Sequence, residues 1–199
     1  MLGKTHLAVG IAAALAVTAP STPAACFTAI IGGAVGGVLP DVDTIRNDGK
    51  KGAPQVQFFA AAVTVGLLLL DSVLHTGLWD SLAARKEENL LMGAGLFATL
   101  WIMGFWSDHR SFTHSLLAVS LFTWTVNMIY PPLSICFLTG YASHLILDYL
   151  NKRPLKLLYP LDSGFCSGVF YSNREANTAF LYIGSLVAAY FIARVWLPI

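Results

Sequence analysis

Charge is scarce in this chain. Only 12% of its 199 residues are Asp, Glu, Lys or Arg, whereas soluble domains carry about 25%, so water is not its main solvent. Cysteine is scarce too: Cys26, Cys136 and Cys166 are odd in number, far apart and without Cys-x-x-Cys spacing. That pattern excludes a disulfide framework or a thiolate metal site and leaves them as small apolar packing residues. A net charge of +1 gives no electrostatic footprint for nucleic acid, and no such partner is expected. No linker divides the chain, so residues 1–199 are expected to form one integral membrane domain.

What is abundant is apolar sequence, at 56% of residues and a mean hydropathy of +0.65. Crossing the hydrocarbon as helix takes roughly 20 apolar residues. Ala53 to Leu70, Asn89 to Ser107 and Ala176 to Ala193 are uncharged runs near that length. Ser111 to Ser143 is also uncharged, and Pro131-Pro132 splits it into two helices. Leu7 to Val38 is cut by Ala-Pro-Ser-Thr-Pro at residues 19–23 into two pieces, each short for a full span. Gly32, Gly33, Gly36 and Gly37 give the second piece small-xxx-small spacings that permit close helix contact. The run after Lys4 resembles a signal peptide, but the uncharged stretch continues to Pro40 and cleavage would discard His6, so it reads as retained. The expectation is an all-α polytopic membrane bundle of about seven helices, the first two short.

Basic residues orient this bundle. Lys4, Arg46, Lys50, Lys51, Arg110, Lys152, Arg153, Lys156 and Arg174 fall on one side, against Arg85, Lys86 and Arg194 on the other. The positive-inside rule makes the richer side cytoplasmic, with the N-terminus in. His6, Asp41, Asp43, His109, His114, His144 and Asp148 all fall at that same end, while His75 lies at the other.

The spacings within this set suit ligation. His144 and Asp148 are an i,i+4 pair on one helical face. Asp41 and Asp43 follow Pro40 outside regular helix, where one can bridge two ions while the other binds terminally or orients a ligand. His109 and His114 are i,i+5, which one helical face cannot accommodate. A turn followed by a helix start, with Ser111 or Thr113 as cap, would let both point inward. Imidazole with carboxylate suits zinc, manganese or iron. Each cluster alone has a plainer reading, His6 as an interfacial residue and Asp41-Val42-Asp43 as a solvated turn, and Asp71-x-x-x-His75 arises by chance spacing. Ionisable groups at membrane depth are costly and mark function, so four of five histidines meeting three aspartates favours a metal site on the cytoplasmic face. Trp101, Trp106 and Tyr130 read as an interfacial belt.

Four blocks in order, Thr5-His6, Leu39-Pro-Asp-Val-Asp43, His109-Arg-Ser-Phe-Thr-His-Ser115 and Gly140-Tyr-Ala-Ser-His-Leu-Ile-Leu-Asp148, resemble the YdjM-like family. The resemblance runs to about Pro160 and implies a bacterial inner-membrane, metal-dependent hydrolase. The family in turn is similar to zinc-dependent phospholipase C and P1-type nucleases, which implies phosphoester hydrolysis by analogy. Two places depart from its pattern. Asp108 stands where glycine is common, and Leu150-Asn151-Lys152-Arg153-Pro154 replaces the usual Leu-Thr with a following glycine. Neither removes an expected ligand.

The resulting expectation is one or two divalent transition-metal ions, most simply zinc, held by His6, Asp41, Asp43, His109, His114, His144 and Asp148. Such an ion lowers the pKa of a bound water towards ~7. Asp43 and Arg110 are the expected catalytic residues, the Arg110 fork matching phosphate oxygens. The expected partners are the lipid bilayer and a phosphorylated amphiphile, with residues 161–175 forming a cytoplasmic loop near the site. The alternatives are a non-enzymatic metal transporter or sensor, and a scaffold whose histidines are structural.

Overall fold

Prolines set the first turns of the chain. The computed structural model describes residues 1–47, 52–169 and 173–197. Helix α1 (Gly3–Thr18) stops where Ala19 turns left-handed at φ +41° and Pro20 follows. The Thr22 hydroxyl then caps α2 (Pro23–Val38), accepting from the Ala25 N–H at 3.3 Å, with Pro23 in the first turn. Beyond Val38 the chain tightens into a 3-10 turn over Leu39–Asp43, with Pro40 in its first positions, and then a short helix, α3 (Thr44–Asn47). The second piece of the N-terminal hairpin is therefore not short: the turn extends it to a 21-residue apolar segment, Pro23–Asp43.

Helix α4 (Gly52–Leu74) ends at His75, φ +50°, and the short α5 (Leu78–Ala83) precedes α6 (Glu87–Trp106). A 3-10 turn over Phe112–His114 leads into α7 (Leu116–Ile129). Its cap is Ser115, accepting from the Ala118 N–H at 3.1 Å, in place of the expected Ser111 or Thr113, because the turn consumes those residues first. Helix α8 (Pro131–Tyr149) begins at the paired prolines, and Asn173 caps α9 (Arg174–Trp196). The fold is all-α as expected. Seven helices have 14 residues or more, α1, α2, α4, α6, α7, α8 and α9, and α3 and α5 are short additions among the described residues. Lys50, Lys51, the Arg46 side chain, residues 170–172 of the expected loop and the last two residues lie outside the described residues.

Among the described residues, four segments are long and apolar enough to cross a membrane: Pro23–Asp43, Pro54–Leu74, Glu87–Trp106 and Arg174–Trp196. They divide by burial. The outer three expose large apolar side chains, among them Phe58, Leu69, Leu91, Ile102, Ile183 and Leu186, a surface that suits lipid and not water. The α2 segment is 83% buried and packs against α1, α4 and α8. Its glycines allow this. A Cβ on Gly33 would stand 2.5 Å from the Gly10 carbonyl oxygen, and one on Gly36 would stand 2.3 Å from that of Phe137. Backbone thus meets backbone on two sides of α2, which brings α1, α2 and α8 together at one end. Cys26 and Cys136 pack inside as expected, whereas Cys166 is exposed in the segment after α8 and has no packing role.

Candidate metal centre

The close packing around α2 decides where the polar residues meet. His6 lies in the first turns of α1, His144 and Asp148 share one face of α8, and Asp41 and Asp43 hang from the 3-10 turn after α2. His109, Arg110 and His114 come from the loop between α6 and α7. The structure brings all seven expected ligands into one cluster, with His6, His114, His144 and Asp43 fully buried. The His6 and His144 rings stack with centroids 3.7 Å apart.

Hydrogen bonds fix which nitrogen the His144 and His114 rings offer, whereas both ring nitrogens of His6 are buried without a partner among the described residues. His144 Nδ1 lies 2.8 Å from the Gly37 carbonyl oxygen. A carbonyl only accepts, so Nδ1 carries the proton and Nε2 keeps its lone pair. His114 Nδ1 lies 3.2 Å from Asp43 Oδ2, which leaves its Nε2 in the same condition. The Nε2 atoms of His6, His114 and His144 are all buried without a hydrogen-bond partner among the described residues. Orphaned buried nitrogens are costly and rare, and here three of them face two carboxylates.

The separations have the scale of a coordination shell. His6 Nε2 is 3.4 Å from Asp148 Oδ1, and His114 Nε2 is 3.8 Å from Asp148 Oδ2. Asp41 Oδ1 is 3.8 Å from His144 Nε2 and 4.0 Å from His114 Nε2. Two ligands bound at about 2.1 Å to one ion stand at most ~4.2 Å apart, and ~3.4 Å apart in a tetrahedron. Among the described residues, three groups could each hold an ion: His6, His144 and Asp148; Asp41, His114 and His144; and Asp43, His109 and His114. The donor set of imidazole and carboxylate therefore fits a divalent transition metal.

The local electrostatics also favour a cation. For His114 burial disfavours the imidazolium, but the hydrogen bond to Asp43 and the charges of Asp43, Asp148 and Asp41 outweigh it and raise its pKa above the ordinary histidine value. Asp148 already draws two positive groups, the Met1 amino group on Oδ1 and Arg110 Nη2 on Oδ2, both at 2.9 Å. Arg110 is held at a left-handed φ of +65°. Its N–H donates to Asp43 Oδ2 at 3.1 Å, its carbonyl accepts from Lys156 N, and its Nη1 donates to the Arg153 carbonyl at 2.7 Å. The cluster opens where Asp41 and His109 keep 19% and 20% of their side chains exposed.

Several participants escape a reading by residue type. Thr113, considered only as a cap, donates to Asp43 Oδ2 at 2.9 Å. Tyr141, three residues before His144, donates to the Thr113 carbonyl at 2.6 Å. The Gly37 carbonyl has no side-chain signature at all. Asn177 of α9 accepts from the Leu2 N–H at 2.8 Å and so ties α1's first turn in place. The expected exclusion of His75 agrees with its exposed position beyond α4.

An all-helical membrane bundle with a buried nest of histidine and aspartate, open at one end, is the class that this fold and cluster define. Within that class the chain belongs to the YdjM inner membrane protein family, whose family model matches residues 1–198. The match runs well beyond Pro160 and takes in α9, the helix that carries Asn177. No curated protein and no solved structure matches the chain.

Proposed function

We propose that the protein is a membrane-embedded, metal-dependent hydrolase that cleaves a phosphoester of an amphiphilic substrate. The observation that carries the metal part is the set of three buried Nε2 atoms, on His6, His114 and His144, left without hydrogen bonds beside Asp41 and Asp148. Those five residues would hold the ion, and zinc suits them best. A divalent ion in such a place supplies Lewis acidity and activates water near neutral pH.

The chain's own residues supply the rest. Arg110 donates from Nη2 to Asp148 and from Nη1 to the Arg153 carbonyl, which holds its guanidinium beside the nest. A guanidinium fork matches phosphate oxygens bidentately, and a phosphate would draw on the N–H groups that these two bonds leave over. The exposed edge at Asp41 and His109 is the side from which substrate reaches the nest. A centre at one end of an apolar bundle suits a substrate with a phosphorylated head and a lipid tail. The excess of basic residues near that end supports a cytoplasmic-facing centre.

The test begins with metal analysis of detergent-purified protein. One or two zinc ions per chain, followed by metal-dependent cleavage in a panel of phospholipids, isoprenoid phosphates and simple phosphodiesters, is the expected result. Stoichiometric metal with no hydrolysis anywhere in the panel, together with zinc uptake by proteoliposomes, would replace the hydrolase with a transporter. Absence of metal after reconstitution with zinc and manganese would remove both.

A further inference from the structure

Asp41 and Asp43 stand two residues apart on one 3-10 turn and have the same side chain, yet their surroundings differ. Asp41 is partly exposed and directs Oδ1 at the orphaned nitrogens of His114 and His144. Asp43 is fully buried, and both its oxygens are engaged. Oδ1 accepts from His109 Nδ1 at 2.9 Å. Oδ2 accepts from the Arg110 N–H at 3.1 Å and the Thr113 hydroxyl at 2.9 Å, with His114 Nδ1 at 3.2 Å. Oδ2 therefore meets more donors than its two lone pairs can serve, while Oδ1 keeps one lone pair beyond the His109 bond. An ion on Oδ2 would displace hydrogen bonds from a fully buried carboxylate.

We infer that Asp43 is the positioning carboxylate of this centre and not one of its ligands. It fixes the Nδ1–H tautomer of His114 and His109 and so aims both Nε2 lone pairs away from itself, that of His114 into the nest. The inference rests on the metal reading above and deepens it. Imidazole ligands commonly hand their second N–H to a carboxylate or carbonyl, which orients the ring and raises its basicity. Here Gly37 does this for His144 and Asp43 does it for His114. The Arg110 N–H and the Thr113 hydroxyl, itself 3.1 Å from His114 Nδ1, lock the carboxylate in turn. One buried side chain thereby ties the α2 turn to the whole His109–His114 loop.

The experiment is zinc titration of purified Asp43→Asn, Asp43→Ala and Asp148→Asn beside the wild type, with melting temperatures of the metal-free proteins. Asp43→Asn keeps an oxygen that accepts one histidine N–H. It is expected to bind the full complement of zinc with affinity lowered roughly 10- to 100-fold, the range for an outer partner of a metal ligand. Asp43→Ala should be weaker still, and Asp148→Asn should fail to hold its ion at any practical zinc concentration. A role in folding alone would lower the metal-free melting temperature and leave zinc affinity at the wild-type value, and that outcome overturns the inference. So does loss of zinc from Asp43→Asn as complete as from Asp148→Asn, because Asp43 would then be a ligand. Nitrogen NMR of zinc-loaded wild-type protein tests the same point without any variant. Protonated Nδ1 on His114 and His109 is expected, and a metal-bound Nδ1 on either overturns it. Wild-type protein that takes up no zinc removes the metal reading and this inference together, whereas every other adverse result removes this inference alone.

Discussion

The chain contains two Asp/His pairs with four-residue spacing, His144 with Asp148 and Asp71 with His75, at opposite ends of the bundle. Only the first takes part in the polar centre. In α8 the helix runs through both residues, so both side chains leave the same face and meet His6, His114 and Asp41. In α4 the helix ends at Leu74, and His75 adopts φ +50° and turns out to solvent. Asp71 is buried, but its oxygens are consumed locally by the Thr76 hydroxyl, the Leu78 N–H at 3.2 Å and the Trp79 N–H at 2.9 Å. It closes the turn into α5. Equal spacing therefore says little. What separates the pairs is whether lone pairs remain unspent after local hydrogen bonding, and whether other elements bring more of them.

The largest effect is expected from removing one histidine from each pair. His144→Ala deletes an orphaned Nε2 from the nest and is expected to lower zinc affinity on the order of 100-fold or more, beyond the cost of losing an outer partner. His75→Ala should match the wild type in metal content by elemental analysis. Equal metal loss from both variants would mean that the nest is not where the ion sits.

A smaller effect comes from pH. His114 has a raised pKa, so its contribution to metal-free stability is fully present below the unfolded value and fades as pH rises through the folded one. Zinc needs the same nitrogen without its proton. Affinity is therefore expected to weaken as pH falls through that raised value, by about tenfold per pH unit for each proton displaced. Zinc titrations at stepwise lower pH measure it, and constant affinity from about pH 8 to 5 would contradict a ligand role for His114. The smallest effect belongs to the other pair. Asp71→Asn removes charge from a carboxylate that serves only a turn, and should cost about 1 kcal/mol of stability. Thermal unfolding in detergent reads it, with metal content unchanged.

How far the sequence reached follows the same division. The apolar runs and the proline breaks located all seven long helices, because burying backbone polar groups in lipid leaves the helix as the available local structure. That seven ionisable groups gather at one end was legible too, since charge is so rare here that they stand out. The cap at Ser115 was missed because a 3-10 turn and an α-helix start share the same residue types. In the sequence the second piece of the hairpin reads only to Val38, whereas the 3-10 turn over Leu39–Asp43, with Pro40 in its first positions, continues the segment.

Residue types and their order thus suffice to specify a helical membrane protein and the side chains that gather at one end of it. Both are consequences of local physics, the hydrocarbon thickness and the penalty for stray charge. The packing of the helices sets which hydrogen-bond partner each of those side chains meets. Whether a carboxylate faces a lone pair or a ring N–H depends on backbone positions far apart in sequence. The Gly37 carbonyl reaches His144 and the Asp43 oxygens reach the His109–His114 loop because the α2 glycines let three helices approach to backbone contact, and residue type and spacing carry no record of that.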